Sequence, residues 1–282
     1  MPKTTSRKPK PSLSVVDGAR LSAPAGRAAP EDDHSLVATL ERILLAPTVE
    51  PAWAILCVEM ERFGFDRLLY GFTRFLTETG LGSHEDMMVL SNHVNGYAER
   101  YMGEELYRNA PMMMWARQNV GAMSWGWVTQ FRDQLTPEQL KVLELNQKYG
   151  VTAGYTISFA EASRRSRGAI ALTARRGLTQ FDVEKIWARH GPEINVLNQV
   201  AHLKFSSLPF PHLNKKLSSR QREVLEWVGD GKTTQDIATL MGLKPATVEK
   251  HLKKAREALS VGTTAQAVMK ASLLNQMFLV EN

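Results

Sequence analysis

The segment 217–271 constrains the fold most, because it has the pattern of short helices joined by tight turns. The apolar positions of its first helix recur at helical spacing, namely Val224, Leu225 and Val228. Gly231 ends this helix, and Thr233 with Asp236 three positions later has the spacing of a capping box that begins a second helix. Gly242 ends the second helix. The segment therefore predicts two short helices separated by a tight turn.

A third helix is predicted to begin at Pro245, because proline is favoured in the first helical position. Its apolar stripe is Val248, Leu252, Ala255 and Leu259, and its opposite face carries Thr247, Glu249, Lys250, Lys253, Lys254 and Arg256. A helix-turn-helix with such a basic face fits the major groove of DNA and neutralises phosphates. A plain helical bundle with solvated lysines has the same periodicity, which alone does not separate the two interpretations.

The order of residues in 217–271 closely resembles the DNA-binding domain of LuxR-type regulators. The matching residues are Leu217, Arg220, Glu223, Leu225, Trp227, Gly231, Lys232, Thr233, Ile237, Ala238, Thr247, Val248 and His251. The chain departs from the family at Gln221, where glutamate is usual, and at Lys244, where a serine usually caps the third helix. The resemblance implies double-stranded DNA and RNA polymerase as partners. The predicted DNA contacts are Lys232, Thr233, Thr247, Glu249, Lys250, Lys253 and Lys254.

Glu249 is a further departure, because the family commonly carries basic residues at this position and at Lys253 that reach base edges. With Val248 and Leu252 facing the core, Glu249 and Lys253 are expected together on the groove side, one turn apart. A carboxylate can accept from the cytosine N4 amine while a lysine donates to guanine. The pair therefore predicts a half-site that contains G·C pairs.

Positive charge is concentrated at the two ends of the 282-residue chain, whose formal net charge is +6. Residues 1–30 contain six Lys and Arg against one Asp, and residues 212–282 contain eleven against seven acidic residues, whereas the middle is slightly acidic. This distribution suits a nucleic-acid partner held by the ends. Residues 1–33 lack periodicity and are predicted to be a disordered basic tail, either solubilising or in contact with phosphates.

The middle of the chain has mixed helix and strand patterns. Helices are predicted at 34–63 with a break near Pro47 and Pro51, at 95–102, 111–120, 136–149 and 182–205, and strands at 67–75, 87–90, 154–160 and 169–173. This mixture, without Gly-rich phosphate loops, predicts an α+β fold: an N-terminal α-β-α sandwich with an antiparallel sheet, followed by the all-α helix-turn-helix domain. The predicted boundaries are 34–205 for the sandwich, 206–216 for a linker and 217–282 for the DNA-binding domain.

At 91–125 and 150–154 the chain resembles the autoinducer-binding domain of LuxR-type quorum-sensing receptors, whose pocket holds an acyl-homoserine lactone between the sheet and a helical layer. The residues at or beside the corresponding positions are His93, Tyr97, Tyr101, Ala110, Pro111, Trp125 and Gly154. Tyr97 replaces a tryptophan that donates to the lactone carbonyl. Ala110 replaces an aspartate that accepts the ligand's amide hydrogen.

The carboxylate of that aspartate would make a charge-assisted hydrogen bond worth about 1.5 to 3 kcal/mol. Without it, a bound lactone buries an unpaired N–H unless Asn109, His93 or a water accepts a hydrogen bond from this group. The resemblance therefore implies a small apolar ligand, either an acyl-homoserine lactone or a non-standard analogue. The departures from the family pattern suit an orphan, or solo, member of the family. The aromatic residues could instead be ordinary core residues. The methionines Met87, Met88, Met102, Met112, Met113, Met114 and Met123 either fill the core or form a deformable wall.

No catalytic or metal-binding spacing is found in the sequence, which lacks Cys-x-x-Cys, His-Glu-x-x-His and Gly-x-Ser-x-Gly. Neither an enzymatic activity, a metal nor a cofactor is predicted. Cys57 is expected to be a buried structural thiol. Without an apolar run of membrane-spanning length or a signal peptide, we expect a cytoplasmic protein with no membrane contact, associated with the nucleoid when bound to DNA.

A homodimer is predicted from apolar stripes on two helices, at 182–205 and at 263–274. A two-fold dimer would match two half-sites of an operator. A receiver-type response regulator is disfavoured by the placement of the acidic residues, whereas a ligand-independent dimeric regulator, or an interaction protein that pairs with another regulator and blocks it, stays an alternative.

Overall fold

The computed structural model describes residues 16–17, 35–77, 80–93, 96–210 and 216–279. The predicted disordered tail lies outside these residues, except that Val16–Asp17 forms a short strand, β1, rather than irregular chain. In the part of the chain described, no helix combines the length and the apolar character needed to cross a membrane.

Helices and strands of the N-terminal domain are interspersed along the chain as the sequence predicts. They are α1 (Leu36–Leu45), α2 (Val49–Arg62), β2 (Phe65–Thr73), β3 (Met88–Ser91), α3 (Tyr97–Gly103), α4 (Pro111–Gln118), β4 (Gly121–Ser124), α5 (Gly126–Thr129), α6 (Pro137–Tyr149), β5 (Gly154–Ser158), β6 (Arg167–Ala174) and α7 (Gln180–Ser207). The predicted strands and long helices are confirmed with ends shifted by a few residues. The break in the first helical region falls at 46–48 only, because Pro51 lies in the first turn of α2, where its missing N–H costs nothing.

The sheet has the order β1-β3-β2-β6-β5-β4, and every pair of neighbours is antiparallel except β1 with β3. Alternate side chains of β2 enter opposite layers. Leu68, Tyr70 and Phe72 belong to the core under α1, α2 and α7, whereas Leu69 belongs to a second core with α3, α4 and α6. The α-β-α sandwich with a largely antiparallel sheet is therefore confirmed.

The C-terminal domain consists of α8 (Ser219–Gly229), α9 (Thr234–Leu240), α10 (Pro245–Leu259) and α11 (Thr264–Leu273). Thr233 and Asp236 form the predicted capping box, and Gly231 and Gly242 have φ of +79° and +63°, a backbone region that favours glycine. Gln221 completes a capping box with Ser218, so this departure from the family still caps α8. The helix-turn-helix prediction is confirmed.

The two stripes that motivated the homodimer prediction pack within the chain. On α7, Val183, Ile194 and Leu197 are buried against α1 and α2. On α11, Ala267 and Ala271 are buried against α8 and α10. This reason for a homodimer is therefore wrong, because periodicity identifies a buried face without identifying what buries it.

Ser206 and Ser207 are helical, so the predicted linker begins later than position 206, and 211–215 lie outside the described residues. Around this connection the two domains are in direct contact. Arg74 donates to the carbonyl oxygens of Leu273 and Ser206, each at 2.7 Å, and Lys270 Nζ lies 2.8 Å from Asp86 Oδ2. The carboxyl end of α11 is thus fixed to the end of β2 and to the turn before β3.

Candidate functional site

A cavity of about 330 Å³ lies between the sheet and the layer of α3, α4 and α6. The sheet contributes Leu69, Thr156, Ala171 and Thr173 to its wall. Six of the seven predicted ligand residues line it, namely His93, Tyr97, Tyr101, Ala110, Pro111 and Trp125. The resemblance thus selects residues that the fold brings together. Tyr97 and Tyr101 are also buried in the second core, and Trp125 is partly buried against it, so the two interpretations of the aromatic side chains are compatible.

Tyr97 is held on the cavity wall by stacking and by a hydrogen bond. Its ring stacks on His93 at 4.5 Å and on Tyr101 at 5.6 Å between centroids, and its hydroxyl donates to Asn146 Oδ1 at 2.8 Å. Burial raises the pKa of the Tyr97 and Tyr101 hydroxyls, so both stay protonated. Burial, with a smaller contribution from the positive charge of Arg67, lowers the pKa of His93 to about 3, so the imidazole is neutral.

Trp125 is fixed from two sides. Its Nε1 donates to Thr156 Oγ1 at 2.9 Å, which leaves no further N–H for a ligand. Gly154 does not line the cavity but lies behind this ring, and a Cβ at that position would come within 3.0 Å of two ring carbons. The absence of a side chain at Gly154 therefore allows the indole of Trp125 to approach β5 closely.

Ala110 and Pro111 begin α4. Ala110 is the N-cap residue, and no side-chain hydrogen bond caps this helix. Because Ala110 also lines the cavity, a carboxylate at this position would have both the backbone N–H groups of α4 and a bound ligand as partners. Asn109 is exposed and is not part of the cavity wall.

A second cavity of about 60 Å³ adjoins the first and shares Leu69, Tyr101 and Met112 with it. Met87, Met102 and Met113 line it as well. The other methionines of this region are elsewhere, because Met88 is in the opposite core and Met114 is exposed. Four of the seven methionines, Met87, Met102, Met112 and Met113, therefore line this second cavity, which we call the inner cavity.

Asn146 and Thr156 were missed by sequence reasoning, although each holds an aromatic residue of the cavity. Asn146 follows Leu145 and Val142 on α6, so a polar residue on a buried helical face was the available signal. Thr156 gives no comparable signal, since a threonine in a strand is ordinary.

Helix α10, predicted to enter the major groove, buries Val248 and Leu252 and exposes the predicted contacts Glu249, Lys250, Lys253 and Lys254. Thr247 is half-buried, and Lys232 is exposed beside the cap of α9. Thr233 is that cap, and its hydroxyl donates to Asp236, which lowers the pKa of this carboxyl. Lys244 precedes α10 without a side-chain capping hydrogen bond, as its side-chain type predicts.

Glu249 and Lys253 do not pair with each other. Glu249 Oε1 accepts from Thr234 Oγ1 at 2.8 Å, which links α10 to the start of α9, and Lys253 Nζ lies 3.9 Å from Glu257. Both side chains are still exposed, but each has a partner on the protein. The hydrogen bond from Thr234 uses Oε1 of Glu249, and Oε2 is left to accept from a base.

Cys57 is partly rather than fully buried, and burial raises the pKa of its thiol to about 12, with a smaller contribution from Glu61. The thiol is therefore neutral and a poor nucleophile at neutral pH.

The chain thus combines a helix-turn-helix domain whose third helix exposes three lysines with a cavity between a sheet and a helical layer, which is the arrangement of a two-domain transcriptional regulator. Residues 48–205 match the autoinducer binding domain family, and residues 215–271 match the luxR family of bacterial regulatory proteins. The chain belongs to the LuxR-type quorum-sensing transcriptional regulators.

The chain is similar to several characterised proteins along most of its length. It is 22% identical over 240 residues to the transcriptional activator AnoR of Acinetobacter nosocomialis, covering 83% of this chain and 95% of the relative. It is 24% identical over 231 residues to the quorum-sensing regulator RhlR of Pseudomonas aeruginosa, covering 79% of this chain and 88% of the relative. The solved structure of SdiA from Escherichia coli matches at 16% identity and a TM-score of 0.49, covering 86% of this chain and 98% of that one.

Proposed function

We propose that this protein is a cytoplasmic regulator that binds specific DNA sequences through α10 under the control of a small apolar ligand in the N-terminal cavity. The observation that carries the proposal is the presence, on one chain, of a largely apolar cavity of about 330 Å³ and of a helix that buries its apolar stripe and exposes Lys250, Lys253 and Lys254. RNA polymerase is a further expected partner at the promoter.

The ligand is tested by organic extraction of protein purified from its native host, followed by mass spectrometry. A small molecule released in about equimolar amount supports control by a ligand. Protein that is folded, binds its operator and releases nothing would instead favour the ligand-independent regulator.

The DNA-binding proposal predicts distinct outcomes for three variants of α10. Glu249→Ala should relax base preference by about 1 to 3 kcal/mol at one position while leaving non-specific binding unchanged or stronger, because a carboxylate is repelled by phosphates. Lys253→Ala should lower affinity and discrimination together. Lys254→Ala should lower affinity evenly and reduce the salt dependence by about one ion. Selection from randomised DNA and titrations at several salt concentrations measure these changes.

Thr234→Val is the matched control for Glu249→Ala, because it removes the hydrogen bond to Glu249 but keeps the carboxylate. If Glu249 reads a base, Thr234→Val keeps the selected motif. If Glu249 only connects α10 to α9, Thr234→Val and Glu249→Ala should change DNA affinity alike. Recovery of the wild-type DNA motif with Glu249→Ala would show that Glu249 reads no base.

We also propose a homodimer, through a different face from the stripes that are buried in the chain. Val196 and Leu203 on α7 are 42% and 63% exposed and lie seven residues apart, hence on one face of the helix. Leu44 near the end of α1 is exposed as well, and its carbonyl oxygen accepts from Lys204 Nζ, next to Leu203 in the chain. Such exposed apolar side chains suit an isologous interface.

Val196→Glu with Leu203→Glu should convert the dimer to a monomer, because two charges at an apolar interface lose their hydration. Light scattering at micromolar concentration measures the mass. Phe181→Glu is the control, since Phe181 is equally apolar and exposed but lies near the other end of α7. A wild type that is monomeric with and without DNA contradicts the proposal.

A further inference from the structure

A third cavity, of about 440 Å³, lies where β2 begins and where β3 and β6 end, and we call it the polar cavity. The charged and amide side chains of its wall are Asp66, Arg67, Asn92 and Arg176. His93 and Tyr97 line both this cavity and the ligand cavity. The stacked rings of these two residues therefore lie between the two spaces.

Arg67 is held in place by hydrogen bonds to the protein. Its Nε donates to Asp66 Oδ1 at 2.9 Å, and its Nη2 donates to the carbonyl oxygen of Ala174. Its Nη1 donates to the carbonyl oxygens of Tyr149 and Gly150, at 3.3 and 3.0 Å. One N–H of the guanidinium group is left over. The last two bonds also occupy carbonyl groups at the carboxyl end of α6, whose partial negative charge would otherwise repel an anion.

Arg176 brings a second guanidinium group to the same place. It is exposed, and within the described part of the chain no hydrogen bond or ion pair holds its side chain. A Cβ placed on Gly150 would lie 3.5 Å from Arg176 Nε and 3.6 Å from Arg67 Nη1, so both guanidinium groups flank one glycine. Two like charges this close repel each other unless an anion lies near both.

The charges of the wall leave an excess of one positive charge. Asp66 is the only acidic residue among the described residues of this wall, and it is already paired with Arg67. Burial, with a smaller contribution from the charge of Arg67, lowers the pKa of His93 to about 3, so the imidazole adds no charge. The positive charge of Arg176 is therefore uncompensated.

We infer that the polar cavity binds a small oxyanion, a carboxylate or a phosphate group, through Arg176 and beside the charge of Arg67. A guanidinium group presents its N–H donors in a planar fork that matches the oxygens of these two groups. The anion lies against the stacked rings of His93 and Tyr97, on the side opposite the ligand cavity. The polar cavity is thus a second effector site, distinct from the site of the apolar ligand.

Inorganic phosphate and, separately, succinate serve as probes for the full chain, with sodium chloride keeping the ionic strength constant. Thermal unfolding reports binding, because an anion that binds the native state raises the Tm in a saturable way. We expect Arg176→Gln to raise the half-saturating concentration of the anion at least about tenfold, since it removes charge-assisted hydrogen bonds. Arg176 is exposed, so this variant should fold.

Arg175→Gln is the matched control, because Arg175 is exposed and adjacent in the chain but is not among the residues that line the polar cavity. It removes the same charge, so general effects of phosphate on stability and binding to the lysines of α10 are equal in the two variants. Arg175→Gln should respond as the wild type does. Arg176→Lys keeps the charge without the planar fork and should recover only part of the affinity.

A saturable response that is lost in Arg176→Gln but kept in Arg175→Gln supports the site. The response to phosphate alone, or to succinate alone, then identifies which oxyanion it takes. The inference is overturned if the wild type shows no saturable response to either anion, or if Arg176→Gln and Arg175→Gln respond alike. None of these outcomes involves the molecule extracted from the native protein, so ligand control is tested separately.

Discussion

Asp86→Ala should lower the free energy of unfolding by about 3 to 5 kcal/mol, because it leaves the ammonium group of Lys270 buried without its counter-ion. The side chains of Asp86 and Lys270 are only 10% and 11% exposed, and Lys270 Nζ lies 2.8 Å from Asp86 Oδ2. The loss should be seen in urea unfolding followed by tryptophan fluorescence, which reports on both domains. The transition should also separate into two, since this pair joins α11 to the N-terminal domain.

Two controls isolate the buried charge. Glu104→Ala removes a partner of Arg100 in an exposed pair and should change stability by at most about 1 kcal/mol. Replacing both partners, in Asp86→Ala with Lys270→Met, should recover most of the loss, because no buried charge is left over. A loss below about 1 kcal/mol in Asp86→Ala alone would mean that water reaches the ammonium group and that the pair behaves as a surface pair.

The position of this ion pair connects the two functional parts of the chain. Asp86 ends a single turn of 3-10 helix, and the next residue, Met87, lines the inner cavity. Lys270 is on α11, which packs against α8 and α10. One short segment therefore forms both a wall of the inner cavity and a contact with the C-terminal domain, so Asp86→Ala also tests whether the two domains respond together.

Local signals predicted the C-terminal domain well. Two kinds of local signal are present: the capping residues Ser218 and Thr233, and the glycines Gly231 and Gly242 in the left-handed region. Each acts on residues only a few positions away, so its effect can be predicted from the sequence alone. The strand β4 was not predicted, because Gly121–Ser124 has little strand propensity and is extended only through its pairing with β5.

Long-range partners explain the other differences from the sequence predictions. Resemblance selected Tyr97 and Trp125, but the residues that hold them, Asn146 and Thr156, are 49 and 31 positions away. The groove-side pair of Glu249 and Lys253 was predicted from helical spacing alone. The hydroxyl of Thr234, fifteen positions before Glu249, donates to this carboxylate, and spacing within one helix cannot reveal such a partner.

Gly154→Ala should destabilise the protein by about 3 kcal/mol or more, because it overpacks a site with no free volume. A Cβ at Gly154 would overlap the backbone carbonyl oxygen of Leu172 on the paired strand β6 and press on the ring of Trp125. Backbone cannot move aside as a flexible side chain can, so β5 must shift from β6 or the indole must leave its hydrogen bond to Thr156. Ligand affinity should fall with stability, since both movements alter the cavity wall.

Gly71→Ala is the matched control on the same sheet, because a Cβ there meets nothing within 4 Å and the residue has ordinary negative φ. Its stability should stay within about 1 kcal/mol of the wild type and can rise slightly, since alanine restricts the unfolded chain. Thermal unfolding of both variants, with Trp125 fluorescence compared against a Trp125→Phe background, separates the two effects. If Gly154→Ala is as stable as Gly71→Ala, the indole and β6 can move aside with little loss of folding free energy. The close approach of the chain at Gly154 would then not be what positions Trp125.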